Sequence, residues 1–240
     1  MADETVINPN IFKAYDVRGV YPDEINEETV YRIGRAFVEY LHPTTVAVGR
    51  DMRISSPALA AALIRGLSEQ GADVVDLGLT TTDELYFAVG KFNYPAGIMV
   101  SASHNPKQYN GLKWCRENAI AISSETGGDE IRDLALAGNF PASARQGEVA
   151  QRDVTDDYVR HVLSFIDVAK IRPLKIAVDA GNGMAGMIVP KVFAQLPCEL
   201  IPLYFELDGT FPNHPARWCR LERSNHRRLA PNRCAPRRRR

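Results

Sequence analysis

Short apolar runs alternate with stretches of helical periodicity through the first hundred residues of the chain. The runs that predict strands are Thr45–Gly49, Ala72–Leu77 and Gly97–Val100. The stretches that predict helices are Glu27–Leu41, 56–71 and 83–92. Ser56 followed by Pro57 is typical of a helix N-cap with proline in the first helical position, and Gly71 is typical of a helix end. The resulting β-α-β-α-β order predicts a layered α/β domain.

The same alternation restarts in the second half of the chain. Residues 138–152 contain Gly, Pro, Ser and Gln with little apolar periodicity, which is typical of an interdomain connection. The elements predicted after it are helices at 155–166 and 185–196 and strands at 175–180 and 199–204. We therefore expect a first domain over residues 1–145 and the opening of a second α/β domain over residues 153–216.

Composition excludes several other classes of protein. The chain has 240 residues, of which 45% are hydrophobic and 24% charged, as in ordinary soluble globular proteins. It contains no apolar run long enough to cross a membrane, and its start, MADETVINPN, does not resemble a secretory signal. The four cysteines lack the close spacing of disulfide or zinc motifs, so we expect free thiols in a reducing cytoplasm.

The neutral net charge conceals a strong asymmetry. Residues 1–215 carry 19 basic and 28 acidic side chains, whereas residues 216–240 carry ten arginines and a single acid, Glu222. Three interpretations of the Arg-rich tail at 217–240 compete: a nucleic-acid-binding arm, a disordered solvated tail, and out-of-frame translation. The abrupt loss of pattern favours the third, so neither nucleic acid nor a membrane is an expected partner.

The stretch GIMVSASHNPKQYNGLKW, from Gly97 to Trp114, carries the main candidate chemistry. An apolar strand runs directly into Ser101 and Ser103, and ligands gather at the carboxyl ends of strands in open α/β sheets. A nucleophilic serine needs activation, which His104 and Lys113 could supply. The alternative is a strand-to-helix connection rich in capping and turn-forming residues, which is the commoner explanation of such a segment taken alone.

Two other segments place charged residues near predicted strand ends. FKAYDVRG puts Arg18 in a predicted short loop, and GRDMRISSP follows the strand at Thr45–Gly49. Taken alone, Arg18 is expected to be a surface arginine, and Asp51 and Arg53 are expected to provide simple capping and a surface ion pair. Together, the three polar segments indicate an anionic ligand such as a phosphosugar.

Several of these segments are similar to motifs of one enzyme family. SASHNP followed by YNGLK resembles the phosphoserine loop of the α-D-phosphohexomutases. FKAYDVRG, GRDMRISSP, VDAGNGMAG and DGTFPNHP resemble the bacterial phosphomannomutase/phosphoglucomutase branch, in the same order along the chain. SASHNP also occurs in phosphoglucosamine mutases, but the opening FKAYDVRG favours the phosphomannomutase branch. The resemblance implies layered α/β/α domains with mixed sheets: domain I and an incomplete domain II of a four-domain enzyme.

The resemblance also implies a reaction and its residues. Ser103 would carry a phosphoryl group and exchange it with a hexose phosphate through a hexose 1,6-bisphosphate intermediate, interconverting hexose 1- and 6-phosphates of mannose or glucose. Arg18 and Lys113 match the family's basic active-site positions, with roles in hydrogen bonding and proton transfer. His104 matches the loop histidine, which would orient the reacting groups. Mg²⁺ would bind the phosphate on Ser103 together with a downstream Asp-x-Asp-x-Asp loop.

The chain departs from the family pattern in its second half. No Asp-x-Asp-x-Asp occurs in the 240 residues, and the motifs of the later domains do not follow. We therefore expect an N-terminal fragment with a frameshift-like tail that is inactive alone. The alternative is a phosphosugar-binding module without turnover.

Overall fold

The computed structural model describes residues 7–215, and their largest element is a seven-stranded mixed sheet. Its strands are β1 (Asp16–Val20), β2 (Thr45–Arg50), β3 (Asp73–Leu79), β4 (Ala96–Val100), β5 (Tyr109–Arg116), β6 (Ile120–Ala121) and β7 (Val149–Gln151). The order across the sheet is β1-β5-β4-β2-β3-β7, with β6 paired to β5. The pairs among β4, β2, β3 and β7 are parallel, whereas β5 runs antiparallel to β4, β1 and β6.

Helices cover both faces of this sheet. They are α1 (Glu27–Leu41), α2 (Ser56–Glu69), α3 (Thr82–Lys91) and α4 (Gly128–Ala137). One apolar core joins α1, α2 and α4 to one face through residues such as Phe37, Leu63 and Ile98. A second core joins α3 to the opposite face through Leu85 and Met99. The arrangement is an α/β/α sandwich, which confirms the predicted fold class.

Helix α1 has the bounds that the sequence predicts, because its end signals are local. The side chain of Asn26 accepts a hydrogen bond from the backbone N–H of Thr29 at 3.0 Å, and two glutamates occupy the first turn. His42 ends the helix in a left-handed conformation with φ of 49°. Between these ends, Val30, Ile33 and Phe37 are fully buried.

Strands β1, β5, β6 and β7 are absent from the predicted elements. Strands β1 and β7 acquire their partners from distant parts of the chain: Arg18 is aligned with Gly111, and Val149 with Val74. The segment at 138–152, predicted as a connection, therefore ends in a short strand at the sheet edge. The N-cap of α2 is Ser55 rather than Ser56, one residue earlier than predicted.

The second half of the chain forms a smaller unit. It contains α5 (Thr155–Leu163), β8 (Lys175–Asp179), α6 (Ala185–Phe193) and β9 (Glu199–Leu203). Within the described residues, β8 pairs only with β9, in parallel register. Helix α5 packs against α3, where the ring of Phe87 lies 5.6 Å from that of Tyr158 and 4.8 Å from that of His161.

Some predictions fall outside this part of the chain. The Arg-rich tail at 217–240, with Cys219 and Cys234, lies outside the described residues. The domain boundaries at 145, 153 and 216 stay predictions. Across residues 7–215, no helix combines the length and apolar character that a membrane span requires.

Candidate active site

The segment at 101–108 joins two antiparallel strands at the centre of the sheet. Strand β4 is buried along its whole length, and Ser101 follows directly after its carboxyl end. Strand β5 begins at Tyr109. Inside the segment, the backbone N–H of Asn105 donates to the Ala102 carbonyl oxygen at 3.0 Å. We name residues 101–108 the serine loop. Because it connects two strands, the strand-to-helix turn considered from the sequence does not apply.

The two serines of the serine loop have different surroundings. Ser101 is 5% exposed, and its Oγ accepts a hydrogen bond from the backbone N–H of Ser103 at 2.9 Å. Ser103 is exposed and has a φ of 53°, a conformation that non-glycine residues rarely adopt. Ser101 therefore shapes the loop, while the hydroxyl of Ser103 is the accessible one. This supports Ser103 as the nucleophile of the pair.

The ring of His104 contacts that hydroxyl. Its Nδ1 lies 3.3 Å from Ser103 Oγ, and both side chains are exposed. A neutral imidazole whose Nδ1 carries the lone pair accepts a hydrogen bond from the hydroxyl at this position. The contact fits an orienting role for His104 beside the Ser103 hydroxyl.

Arg18 lies in strand β1 and not in the predicted short loop. Its guanidinium donates to the carbonyl oxygen of Ser101 and forms an ion pair with Asp16 at 3.0 Å. Burial lowers the pKa of Arg18 below its ordinary value, and the neighbouring Asp16 opposes that shift. A Cβ on Gly111 would collide with the Val17 carbonyl oxygen and lie 2.9 Å from Arg18 Nη1, so the glycine leaves room for the neighbouring strand and for the guanidinium. Arg18 therefore contacts the first residue of the serine loop from its position on strand β1.

Lys113 lies on β5 beside these groups. In the register of the sheet it is opposite Asp16 on β1 and Met99 on β4. Residues two apart on a strand share a face, so Lys113 and Gly111 lie on one face of β5, next to Asp16 and Arg18. Pairing thus brings two of the predicted basic residues, Arg18 and Lys113, to adjacent positions at the sheet end that carries the serine loop.

Arg53 corrects the expectation of a surface ion pair. Its Nε lies 3.2 Å from the Asp51 carboxylate, but the arginine is only 1% exposed and the aspartate 4%. Its two terminal nitrogens donate to four backbone carbonyl oxygens of the 103–109 segment. These carbonyls belong to Ser103 at 2.9 Å, Asn105 at 2.7 Å, Pro106 at 2.8 Å and Tyr109 at 3.0 Å. The burial of Arg53 could not be predicted from the sequence, because its carbonyl partners lie about fifty residues away along the chain.

A network of buried polar side chains holds Asp51, the carboxylate partner of Arg53. Ser56 Oγ donates to the second oxygen of the Asp51 carboxylate at 2.5 Å instead of capping helix α2. The Asn110 amide donates to Ser55 Oγ at 2.8 Å and to Ser56 Oγ at 3.0 Å. A satisfied buried network of this kind fixes the orientation of its members. The hydroxyls of GRDMRISSP therefore serve the serine loop rather than the helix end.

A complete magnesium site is not formed by this part of the chain. Mg²⁺ prefers six oxygen ligands in octahedral geometry, commonly from carboxylates and phosphate. Within residues 7–215, no group of three or more His, Cys, Asp or Glu side chains could hold a metal ion. Ser103 could offer one ligand through a bound phosphate, but the described residues do not fit a metal by themselves.

Two models of known protein families match consecutive parts of the chain. Residues 9–141 match the family model described as phosphoglucomutase/phosphomannomutase, alpha/beta/alpha domain I. Residues 156–225 match the corresponding domain II model, so this match continues past residue 217, where the Arg-rich tail was expected to begin.

Individual relatives are similar over the same region. The chain is 45% identical over 213 residues to a phosphomannomutase of Salmonella montevideo, covering 86% of this chain and 47% of the relative. It is 46% identical over 204 residues to a protein of Xanthomonas campestris pv. campestris named phosphohexose mutases, covering 84% of this chain and 45% of that protein.

One solved structure shares both fold and sequence. The crystal structure of a phosphoglucomutase/phosphomannomutase family protein from Burkholderia thailandensis superimposes with a TM-score of 0.79 and 38% identity, over 87% of this chain and 47% of that one. The chain thus spans about half the length of the curated relatives it matches.

Proposed function

The chain belongs to the phosphoglucomutase/phosphomannomutase family, and we propose that Ser103 is the phosphoryl carrier of an enzyme that interconverts hexose 1-phosphates and hexose 6-phosphates. The observation that carries the proposal is the contrast within the serine loop. Ser103 presents an exposed hydroxyl next to His104. The hydroxyl of the buried Ser101 instead accepts a hydrogen bond from the backbone N–H of Ser103.

In the proposed reaction, phospho-Ser103 transfers its phosphoryl group to the free hydroxyl of a hexose phosphate. The bond between phosphorus and Ser103 Oγ breaks, a bond to the sugar oxygen forms, and the sugar hydroxyl gives up its proton. The hexose 1,6-bisphosphate then reorients in the site and returns its other phosphoryl group to Ser103, which releases the product. The proton that the sugar loses in the first transfer is replaced on the product oxygen in the second, so the cycle balances.

The described cations have distinct parts in this chemistry. A phosphoserine carries about −1.5 to −2 charges at neutral pH, and phosphoryl transfer depends mainly on positioning and charge stabilisation. Arg18, fixed on the Ser101 carbonyl and Asp16, supplies a held positive charge beside the loop. We assign proton transfer to Lys113, the neighbouring cation on β5. His104 orients the Ser103 oxygen.

The proposal keeps the wider expectations of the family. Its partners are hexose phosphates and hexose 1,6-bisphosphate, and the family is generally dependent on Mg²⁺. The ligand set for that ion is incomplete within residues 7–215, so we expect no turnover by this chain alone. The unpaired thiols of Cys115 and Cys198 are compatible with a cytoplasmic setting.

Phosphoryl capture tests the proposal without requiring turnover. The purified chain is incubated with α-D-glucose 1,6-bisphosphate, and the mass of the intact protein and of its peptides is measured. We expect one phosphate adduct on Ser103, lost in Ser103→Ala and retained in Ser101→Ala. An adduct on Ser101 would overturn the assignment. Binding of hexose phosphate without any adduct would replace the proposal with a binding module.

A further inference from the structure

The guanidinium of Arg53 uses all of its hydrogen-bonding capacity on one short segment and one carboxylate. An arginine has five N–H donors in a fixed planar arrangement. In Arg53, Nε donates to Asp51 and the two terminal nitrogens donate to the four carbonyls of Ser103, Asn105, Pro106 and Tyr109. No other side chain within residues 7–215 donates as many hydrogen bonds to the serine loop, where Arg53 binds three carbonyls.

The serine loop needs such an internal support. Ser103 has a positive φ, a conformation that persists only when the surroundings determine it strongly. Arg53 binds the carbonyl oxygen of Ser103 itself and that of Asn105, so its hydrogen bonds hold the backbone on either side of His104. Loss of the guanidinium would leave four partly buried carbonyl oxygens without this donor, and the loop would rearrange to satisfy them.

The second unit of the chain encloses Arg53 from the other side. The ring of Phe211 lies 5.3 Å from the guanidinium carbon of Arg53. The backbone of the Gly209 turn packs so closely that a Cβ there would lie 2.8 Å from both Arg53 Cα and Ile54 N. Arg53 is therefore located between the serine loop and the turn at 208–211.

We propose that Arg53 is a positioning residue that holds the serine loop in its phosphoryl-accepting conformation, and that Phe211 completes its enclosure. The inference rests on the proposed function of Ser103. Arg53 does not touch the phosphoryl group in this scheme. It acts through the backbone of Ser103 and of the residues that follow it. The turn at 208–211 thereby influences the loop from the second unit.

The central variant is Arg53→Lys. A lysine keeps the positive charge but offers three donors without the planar geometry, so it cannot replace five hydrogen bonds. The matched control is Arg35→Lys, because Arg35 also donates to a side chain, that of Gln70, and lies over an aromatic ring, that of Phe140, but in the helical layer. Any general effect of losing a packed guanidinium appears in both variants.

Two measurements follow the loop independently. The first is the rate of phosphate capture on Ser103 from α-D-glucose 1,6-bisphosphate, which we expect to fall about tenfold or more in Arg53→Lys. The second is the rate of trypsin cleavage after the exposed Lys107, which lies inside the loop. We expect cleavage there to accelerate about tenfold in Arg53→Lys by the same loss of loop geometry. Neither rate should change in Arg35→Lys.

Chemical rescue separates positioning from general stability. In Arg53→Ala, added guanidinium at a non-denaturing concentration should restore part of the phosphate capture, whereas methylammonium should not. If Arg53→Lys unfolds, Phe211→Leu provides the second variant. Removal of the ring should raise Lys107 cleavage by about twofold to fivefold, in line with a cation–π contact.

The outcomes distinguish the inference from the proposed function. If the unchanged chain captures no phosphate but Arg53→Lys still exposes Lys107 to trypsin, the function of Ser103 fails while the support of the loop by Arg53 stands. If Arg53→Lys captures phosphate and resists trypsin like the unchanged chain, Arg53 is not a positioning residue. Equal effects in Arg35→Lys would also overturn the inference.

Discussion

Strands β2 and β8 have nearly the same sequence and very different environments. Their centres read Val46-Ala47-Val48 and Ile176-Ala177-Val178, and each leads into a loop and a helix. All three central residues of β2 are fully buried. In β8 the same positions are partly exposed or exposed. An apolar sequence therefore shows that a strand is able to be buried. The neighbouring strands and helices decide how much of it is buried.

The difference follows from the number of layers around each strand. Strand β2 has a parallel neighbour on each side and helices on both faces. Among the described residues, β8 has one neighbour, β9, and the apolar residues Ile201 and Leu203 of β9 are each 42% exposed. Apolar burial contributes about 25 cal/mol per Å², so the first unit gains far more from its sheet than the second.

The two thiols of the described residues test this contrast most sharply. Burial raises the pKa of Cys115, on β5, to about 12 from its ordinary 9.0, which lowers its thiolate fraction about a thousandfold. Cys198, in the second unit, is only partly buried. We expect iodoacetamide at pH 8 to label Cys198 rapidly and Cys115 about a thousandfold more slowly than an unperturbed thiol, as measured by peptide mass spectrometry. Labelling in urea is the control, since both thiols should then react alike.

A matched pair of truncations compares the two strands energetically. Val48→Ala removes methyl groups from a fully buried site and should cost about 2 kcal/mol of unfolding free energy. Val178→Ala makes the same change in a partly exposed site and should cost about 0.5 kcal/mol. Urea unfolding followed by circular dichroism measures both. Equal losses would show that β8 is as well packed as β2.

A smaller effect is expected from pH in the second unit. His214 donates from Nδ1 to the Pro215 carbonyl at 3.1 Å and from Nε2 to Asp179 at 3.0 Å, and only the imidazolium can donate from both nitrogens. These contacts, that with Pro215 first, raise the pKa of His214 above its ordinary 6.5. Protonated His214 therefore contributes its full stabilisation of the folded state below pH 6.5. This contribution is lost as pH rises through the raised pKa.

Hydrogen exchange checks this effect locally. Peptides around Gly181 and Asn182, next to His214, should lose protection as pH increases above neutrality, after correction for intrinsic exchange. The central strands of the first unit should not respond. His214→Gln should abolish the pH dependence, and its persistence in that variant would assign it to another group.

Local signals predicted much of the first unit. Helix α1 has its predicted bounds because its cap, its apolar stripe and its left-handed end all lie within one stretch of sequence. The strand before the serine loop and the serine loop itself were likewise predicted from an apolar run followed by polar residues. The weakly alternating strand β1 was missed, and with it the location of Arg18, since its pairing with β5 joins residues more than eighty positions apart.

The sequence by itself determined the α/β alternation, the family motifs and the candidates Ser103, His104, Arg18 and Lys113. Only the tertiary structure decided which serine is accessible, that Arg18 lies on a strand, and that Arg53 is buried beneath the serine loop. The physical reason is the range of the interactions. Periodicity and capping act between neighbours along the chain, whereas the carbonyl partners of Arg53 come from about fifty residues away, and burial depends on every layer that covers a side chain.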